Sequence, residues 1–503
     1  MKLTMTKSMI ALAITAGLGM SSAAFAGTAN SASISQTTNS SEAVAGQDAY
    51  VKQTGILNAA VINQEGDFQS ATVKQDGVWM EAYTDSKGTA NRIEVAQTDD
   101  WHISKISVDG DTNTTLVAQA DYFNESGIEV AGDNNSAEVI QAGQRNESVV
   151  ELNGDDNTAL INQEGATNFG VFRVEGQGND GSITQIGDNN VAGMISADIT
   201  PNIGNNNDIE VYQQGSGNLG AVKGAAGDDN HFDISQTGDN NTGFVYAMTG
   251  SDSEIEISQR GTDNTAFLAG VTGNDNDIEI TQAGTGNIIG DTKIAEIQGN
   301  DTRLDIEQEG NNNTAEFQIW GNENNISLDQ EGNNAFTTFG VYGEDNSFNL
   351  SSDGDNNTIT AFAEGEDNDI EIALEGNDNF GYADVQGSDN EVDIEQDGKD
   401  NEVLITVIGT DNTDVEATQT GELNLIDLIL GGDENTAMIT QTGNGNWVGG
   451  EADSAFVVQG DGNSLVIAQA GNDNLVAGSQ TGSNNSISVT QSGDFNTATV
   501  IQN

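Results

Sequence analysis

The sequence predicts an all-β fold, a β-solenoid of about twenty strand–turn–strand–turn rungs with cross-β stacking. Three observations predict it. A glutamine, usually followed two residues later by glycine, recurs every 22 residues at Gln53, Gln75, Gln97, Gln119, Gln141, Gln163 and Gln185. The beat runs on through Gln214, Gln236, Gln259, Gln282, Gln308 and Gln330, passes Ser352 and Leu374, and returns at Gln396, Gln419, Gln441, Gln469 and Gln491. Between these marks the apolar residues alternate with a period of two, which is the spacing of an extended strand and not of a helix. Glycine, with Asp or Asn beside it, interrupts each half-repeat where a turn needs left-handed backbone angles.

The chain opens on a different kind of text. Lys2 and Lys7 precede a mainly apolar run from Met9 to Met20, and Ala24-Phe25-Ala26 stands before Gly27. Residues 1–26 therefore read as a secretory signal, too short and wrongly flanked for a membrane span. Residues 27–52 form an N-terminal segment with one partial repeat, a candidate for carrying an export address. Residues 53–503 are the repeat solenoid, with insertions near 190–210, 286–300 and 445–460. Nothing after the signal is apolar for long enough to cross a bilayer.

Composition supports one repetitive body over several compact cores. There are 61 Gly, a single Pro (Pro201), no Cys and 5% aromatic residues. A solenoid bonded rung to rung needs no disulfide, so the missing Cys says little about compartment. Past residue 26 the chain holds 12 Lys and Arg against 80 Asp and Glu, a net charge of −68. Nucleic acid and anionic membrane are excluded as electrostatic partners, and cations or basic surfaces are favoured. High charge with low hydrophobicity also fits disorder, but a strict period argues against it.

Each repeat splits into two halves of 11. Asn146-x-Ser148-x-Val150-x-Leu152-x-Gly154 is followed by Asn157-x-Ala159-x-Ile161-x-Gln163-x-Gly165, and Asn58-x-Ala60-x-Ile62-x-Gln64-x-Gly66 has the same form. The named residues share one parity, so in a strand they share one face. One half ends in Gln-x-Gly; the other usually ends in an aliphatic residue, as at Val130, Ile319, Val341, Val385 and Val458. Rungs stacked at ~4.8 Å make a body roughly 100 Å long. Inward amides are costly unless paired. In register, each can donate to one neighbour and accept from the other, a structural amide ladder.

The pattern Ser-x5-Gln-x-Gly-x-x-Asn-x-Ala-x3-Gln resembles the curlin repeat, the unit of the adhesive amyloid fibres called curli. Gln64-x-Gly66, Gln282-x-Gly284-x-x-Asn287 and Asn496-x-Ala498-x3-Gln502 follow it. The likeness spans roughly residues 30–503. It departs from the familiar five-repeat subunits in repeat number, in the insertions, and in the replacement of Gln at Ser352 and Leu374. It implies a structural subunit of extracellular fibres that self-associates, is exported through a dedicated pore with a nucleator as partner, and serves adhesion to host or abiotic surfaces and biofilm matrix at the cell surface. The alternative is a soluble secreted acidic solenoid that binds cations or acts as a monomeric adhesin.

Catalysis has little to stand on. The two histidines, His102 and His231, are far apart in sequence and read as surface residues, with no Cys to join them. A β-helix polysaccharide lyase would want longer, irregular rungs and a basic cleft. No cofactor or defined metal site is expected. Turn Asp residues such as Asp367 and Asp389 invite comparison with calcium-binding β-rolls, but the period is wrong and the doubled Gly is missing, which leaves loose divalent-cation binding by the whole surface. The acids of Asp277-Ile278-Glu279-Ile280 alternate with core Ile and should face solvent. Trp79, Trp101, Trp320 and Trp447 read as scattered packing or outer-face residues, and threonine is too irregular for an ice-binding ladder. The last half-repeat, Asn496-x-Ala498-x-Val500-x-Gln502, keeps the inward pattern without Lys, Pro or a covering element, so it is expected to offer an edge on which another rung can stack.

Overall fold

The computed structural model describes residues 29–38, 46–193, 202–290, 295–450 and 454–503. The expected signal segment, 1–26, lies outside the described residues. The chain divides into two compact units, one ending at Ile203 and the other beginning at Gly204. Among the described residues all regular structure is β, and no helix is long and apolar enough to cross a membrane.

The first unit is a two-sheet β-solenoid. One sheet runs from Asp48–Ile56 to Asp180–Asp188, and the other from Ser31–Thr37 to Phe169–Glu175 and beyond. Strands pair in parallel with the 22-residue offset that the repeat predicts: Ala137 lies opposite Ala159, Val139 opposite Ile161, Gln141 opposite Gln163. The strand Thr158–Ala166 shows why the sequence settles this way. Ala159, Ile161 and Gln163 are buried, while Thr158 and Glu164 are exposed. A one-residue slip would turn Ile161 to water and Glu164 inward. Each buried Ile or Val contributes about 1.5–3 kcal/mol, and each rung adds several. Near the end of the strand, Gly165 has φ +116, and a Cβ there would lie 2.1 Å from the carbonyl oxygen of Gly187 in the next rung. Glycine is required at this point both by the backbone angle and by the close approach of the neighbouring rung.

The second unit follows the same plan, from Asp208–Ser216 to Ser486–Ser492 in one sheet and from Leu219–Lys223 to Thr497–Gln502 in the other. Its rungs vary in length. His231 lies opposite Glu254 and Glu254 opposite Asp277, offsets of 23. The extra residue makes a bulge in the second sheet, where Gly224 and Ala247 have φ +72 and +58. Ile280 lies opposite Ile306 and Gln441 opposite Gln469, offsets of 26 and 28.

The long rungs accommodate their extra residues in one way. The chain leaves the second sheet after a short strand and re-enters it against the same neighbouring strand. Thr314–Trp320 pairs with both Ile288–Ile289 and Ala295–Gln298; Leu425–Gly431 pairs with both Trp447–Gly449 and Phe456–Gln459. In the first unit Phe169–Glu175 holds Val191–Gly193 and Asn202–Ile203 in the same manner.

One stretch of the second unit is irregular. The first sheet there shrinks to isolated bridges through Arg303, Asn325, Ser347 and Asp369, and to the four-residue strands Gln330–Asn333 and Ser352–Asp355. Asp329 and the buried Leu350 stand at φ +57 and +59. The core beside them is filled by Phe317, Phe339 and Phe348, with ring centroids 5.4 and 6.2 Å apart along the chain of contacts.

Candidate functional site: the stacked amide ladders

The repeated glutamines come together as one buried column in each unit. In the first, the side-chain Nε2 of Gln53 donates to Oε1 of Gln75, and so on through Gln97, Gln119, Gln141, Gln163 and Gln185, each link at 2.8 Å. In the second, the column runs through Gln213, Gln236, Gln259, Gln282, Gln308 and Gln330 at 2.7–2.8 Å. It restarts at Gln396 and continues through Gln419, Gln441, Gln469 and Gln491 at the same spacing. One expected member is corrected. Gln214 is exposed on the outer face, and its neighbour Gln213 is the buried ladder residue. Val211 is buried, so parity puts 213 and not 214 inside.

The second proton of each amide explains why glutamine serves better here than isoleucine. Nε2 of Gln141 also donates to the main-chain oxygen of Glu125 in the opposite sheet at 3.0 Å, and Gln163 does the same to Glu147. Such a link fastens rung to rung and sheet to sheet at once. With its partners made, a buried amide contributes about 1 kcal/mol per bond.

Asparagines line the corners in a second column. The main-chain N–H of Asn135 donates to Oδ1 of Asn113 at 2.8 Å, and that of Asn157 to Oδ1 of Asn135 at 2.9 Å. Nδ2 of Asn135 closes the turn on the carbonyl of Gly154 at 2.7 Å. His102 occupies this column where another rung has Asn. The surface reading of His102 is corrected: it is fully buried, its Nε2 lies 2.7 Å from the Thr98 carbonyl, and its Nδ1 accepts from the N–H of Asn124 at 3.2 Å. Burial holds its pKa below the usual value, against the opposing pull of Asp99, Asp121 and Asp100. His231 is partly exposed and pairs with Asp208 at 3.3 Å.

The turn carboxylates have work of their own. Oδ1 of Asp111 accepts from the N–H of Thr89, Oδ1 of Asp133 from Asp111, and Oδ1 of Asp155 from Asp133, at 2.6–2.8 Å. Each caps the preceding rung's turn, and together they make a ladder of their own. Among the described residues, no group of three or more His, Asp or Glu is placed to hold a metal ion.

The outer acids crowd. As the sequence suggests, Asp277 and Glu279 face solvent beside buried Ile278 and Ile280. Stacking brings Glu371, Asp393 and Glu416 into one column. Partial burial, then the neighbouring Glu371, Glu395, Glu416 and Glu391, push the Asp393 carboxyl up to about 6. Asp233, Glu279 and Asp329 are raised for the same kind of reason, desolvation first and neighbouring acids after it.

A feature the sequence reading missed lies at one corner of the first unit. Leu57, Trp79, Trp101 and Phe123 follow one another at 22-residue intervals, each exposed and each at a left-handed φ of 58–68°. Trp79 and Trp101 stack with centroids 4.9 Å apart and planes 2° from parallel. These two tryptophans are therefore not scattered. Elsewhere the same turn position is commonly Asp or Asn, residues at ease with that backbone, as at Asn189, Asp378 and Asp400. The signal was the period itself, applied to a turn position where aromatic residues are not sought.

The proposed edge residues Asn496, Ala498, Val500 and Gln502 are half-buried on the strand Thr497–Gln502 and the turn before it. That strand pairs in register with Leu475–Thr481.

Comparison with known families gives ten matches to the model described as the curlin associated repeat. They cover 132–171, 204–238, 227–259, 250–284, 299–332, 365–398, 387–421, 432–471, 460–493 and 482–503. Together they take in more than half of the chain. The unmatched stretches include residues 333–364, which contain Ser352, and everything before 132. No curated protein matches the sequence.

Proposed function

Because this chain belongs to the curlin-repeat family, we propose that it is a structural, non-catalytic subunit that assembles into extracellular fibres at a bacterial surface and serves adhesion and biofilm matrix. The observation that carries this reading is the amide column. Along the column each buried glutamine donates a hydrogen bond to the glutamine of the next rung, so stacking and folding rest on the same bonds. A body held this way extends by adding rungs, and a second chain can supply them as well as the first. The family supports export, with residues 1–26 as the signal and a pore and nucleator as partners. No cofactor is required, and divalent cations would act loosely by screening the −68 charge.

The test is direct. Purified protein lacking residues 1–26 should form fibres visible by electron microscopy, with a meridional reflection at ~4.8 Å and thioflavin binding. A protein that stays monomeric and thioflavin-silent for days, across pH and calcium concentrations, would sink the fibre reading and leave the soluble acidic solenoid.

A further inference from the structure

The glutamine column of the second unit has a gap of two rungs. Gln330 cannot pass its proton on: Nε2 turns to Oγ1 of Thr337 at 2.9 Å and to the Thr314 carbonyl at 3.3 Å. Ser352, next in the column, is buried and its Oγ has no hydrogen-bond partner. Leu374 follows with nothing to donate or accept. Gln396 then donates to Gln419, but its own Oε1 is buried and unpartnered.

The direction of the ladder makes this worse than a simple omission. Every link donates towards higher residue number, so the first glutamine after a gap always has an acceptor and no donor. A fully apolar column would have left no such orphan; a half-interrupted one does. The same rungs have shortened backbone pairing in the first sheet. Between Arg303 and Asp369 the first sheet is held by isolated bridges, the six-residue strand Ile306–Asn311 and two four-residue strands, and Leu350 is fixed at a left-handed angle that Leu rarely adopts. The second sheet keeps full strands here, Thr314–Trp320, Phe336–Tyr342 and Thr358–Glu364. The weakness is confined to one wall.

We propose that the rungs between Gln330 and Gln396 form an opening seam, where the first sheet of the second unit unzips locally while the rungs on either side stay closed. Opening exposes the edges of short strands in the middle of the body and gives the unit an internal breaking point.

Hydrogen exchange of the full chain, read by mass spectrometry, tests it. First-sheet peptides from 347–355 should exchange at least about tenfold faster than first-sheet peptides from 158–166 or 436–442, the scale of one lost buried hydrogen bond. Equal protection in all three would overturn the seam. Ser352→Gln with Leu374→Gln restores the column and should bring the fast peptides to within about threefold of their neighbours; unchanged exchange in that folded variant would show that the gap is not the cause. Should the repaired chain fail to fold beside Phe348, the gap can be transplanted. Gln141→Leu orphans Gln163 Oε1 and should create a fast segment in the first unit, and a Gln141→Leu protein with unaltered exchange there would overturn the proposal.

Discussion

The first unit keeps one rung length from Asp48 to Asp188, whereas the second uses offsets of 22, 23, 26 and 28. Charge divides them too. From residue 27 to 203 there are 7 basic and 26 acidic residues; from 204 to the end there are 5 and 54. The first unit sets Lys74 and Arg92 on Glu94, Lys105 on Glu125 and Arg173 on Glu151. The second pairs Lys399 with Asp378 and Asp400 and His231 with Asp208, but elsewhere acids stack on acids, and among the described residues every carboxylate with a raised pKa belongs to it. The comparison teaches which parts of the rung are negotiable. Loop length, outer charge and even backbone pairing vary between the units, while the buried amide column, unbroken in the first and interrupted only at Ser352 and Leu374 in the second, and its glycine turn are found in both.

If the glycine turn is the shared requirement, breaking it should cost the same in either unit. Gly165→Ala in the first and Gly284→Ala in the second each place a methyl about 2 Å from a neighbouring carbonyl oxygen, 2.1 and 1.8 Å respectively, at a backbone angle alanine resists. A loss of roughly 3 kcal/mol or more is expected at each site. Denaturant midpoints combined with local hydrogen exchange would check it. A much smaller loss in one unit would show that its turns are looser than its neighbour's.

Acid should move the units in opposite directions. Asp393 and the other raised carboxyls bind protons more tightly folded than unfolded, so the second unit gains stability as pH falls from above 6 towards 4 and loses it as pH rises. Solvent screening leaves about 1 kcal/mol for Asp393. His102 works the other way. Its folded pKa lies below the unfolded value of about 6.5, so its contribution is present above that pH and is lost as pH drops through the folded value. Protonation would also place an N–H against the N–H of Asn124. Local exchange measured at pH 7.5, 6 and 5 should show the second unit tightening and the rungs around His102 loosening. His102→Asn, which restores the usual residue of the column, should remove only the latter. Fibre assembly, limited by outer carboxylate repulsion within the ~8 Å Debye length, should quicken at pH 5–6 or with millimolar calcium. Indifference to both would show that these acids do not govern it.

The smallest effect is expected at the aromatic corner. Trp79→Asn with Trp101→Asn relieves two left-handed tryptophans but forfeits a ring stack worth about 0.5–1.5 kcal/mol. The two terms oppose, and stability should shift by less than about 1 kcal/mol. A loss several times larger would show that the corner rings brace the first unit.

Most of the fold was legible because each rung repeats the same bargain. Parity, period and Gly-Asp turns placed strands such as Thr158–Ala166 and the buried Gln163 without a structure. Legibility failed where the local residue could not carry the signal. At Gln213-Gln214 the count offered two adjacent amides after an insertion, and only the burial of Val211 decides between them. His102 sits 11 residues after Asn91, so its address was in the period, yet its residue type pointed to the surface. The corner aromatics were hidden for a similar reason, since left-handed turns are sought by their Asn and Gly. The irregular wall around Leu350 was foreshadowed only by the substitution of Ser352 and Leu374 for Gln.

The departures from the second sheet have a consequence for how such a chain changes over generations. After Gly290 and again after Gly449–Gly450 the strand opens a parenthesis and closes it against the same neighbour, so the register, inward residue against inward residue, is the same on either side of the break. A stretch of any length can be spliced at that punctuation without shifting the reading of a single buried residue. Each such rung is a socket in an otherwise inflexible grammar, a place where new surface can be acquired while the stack that carries it stays the same.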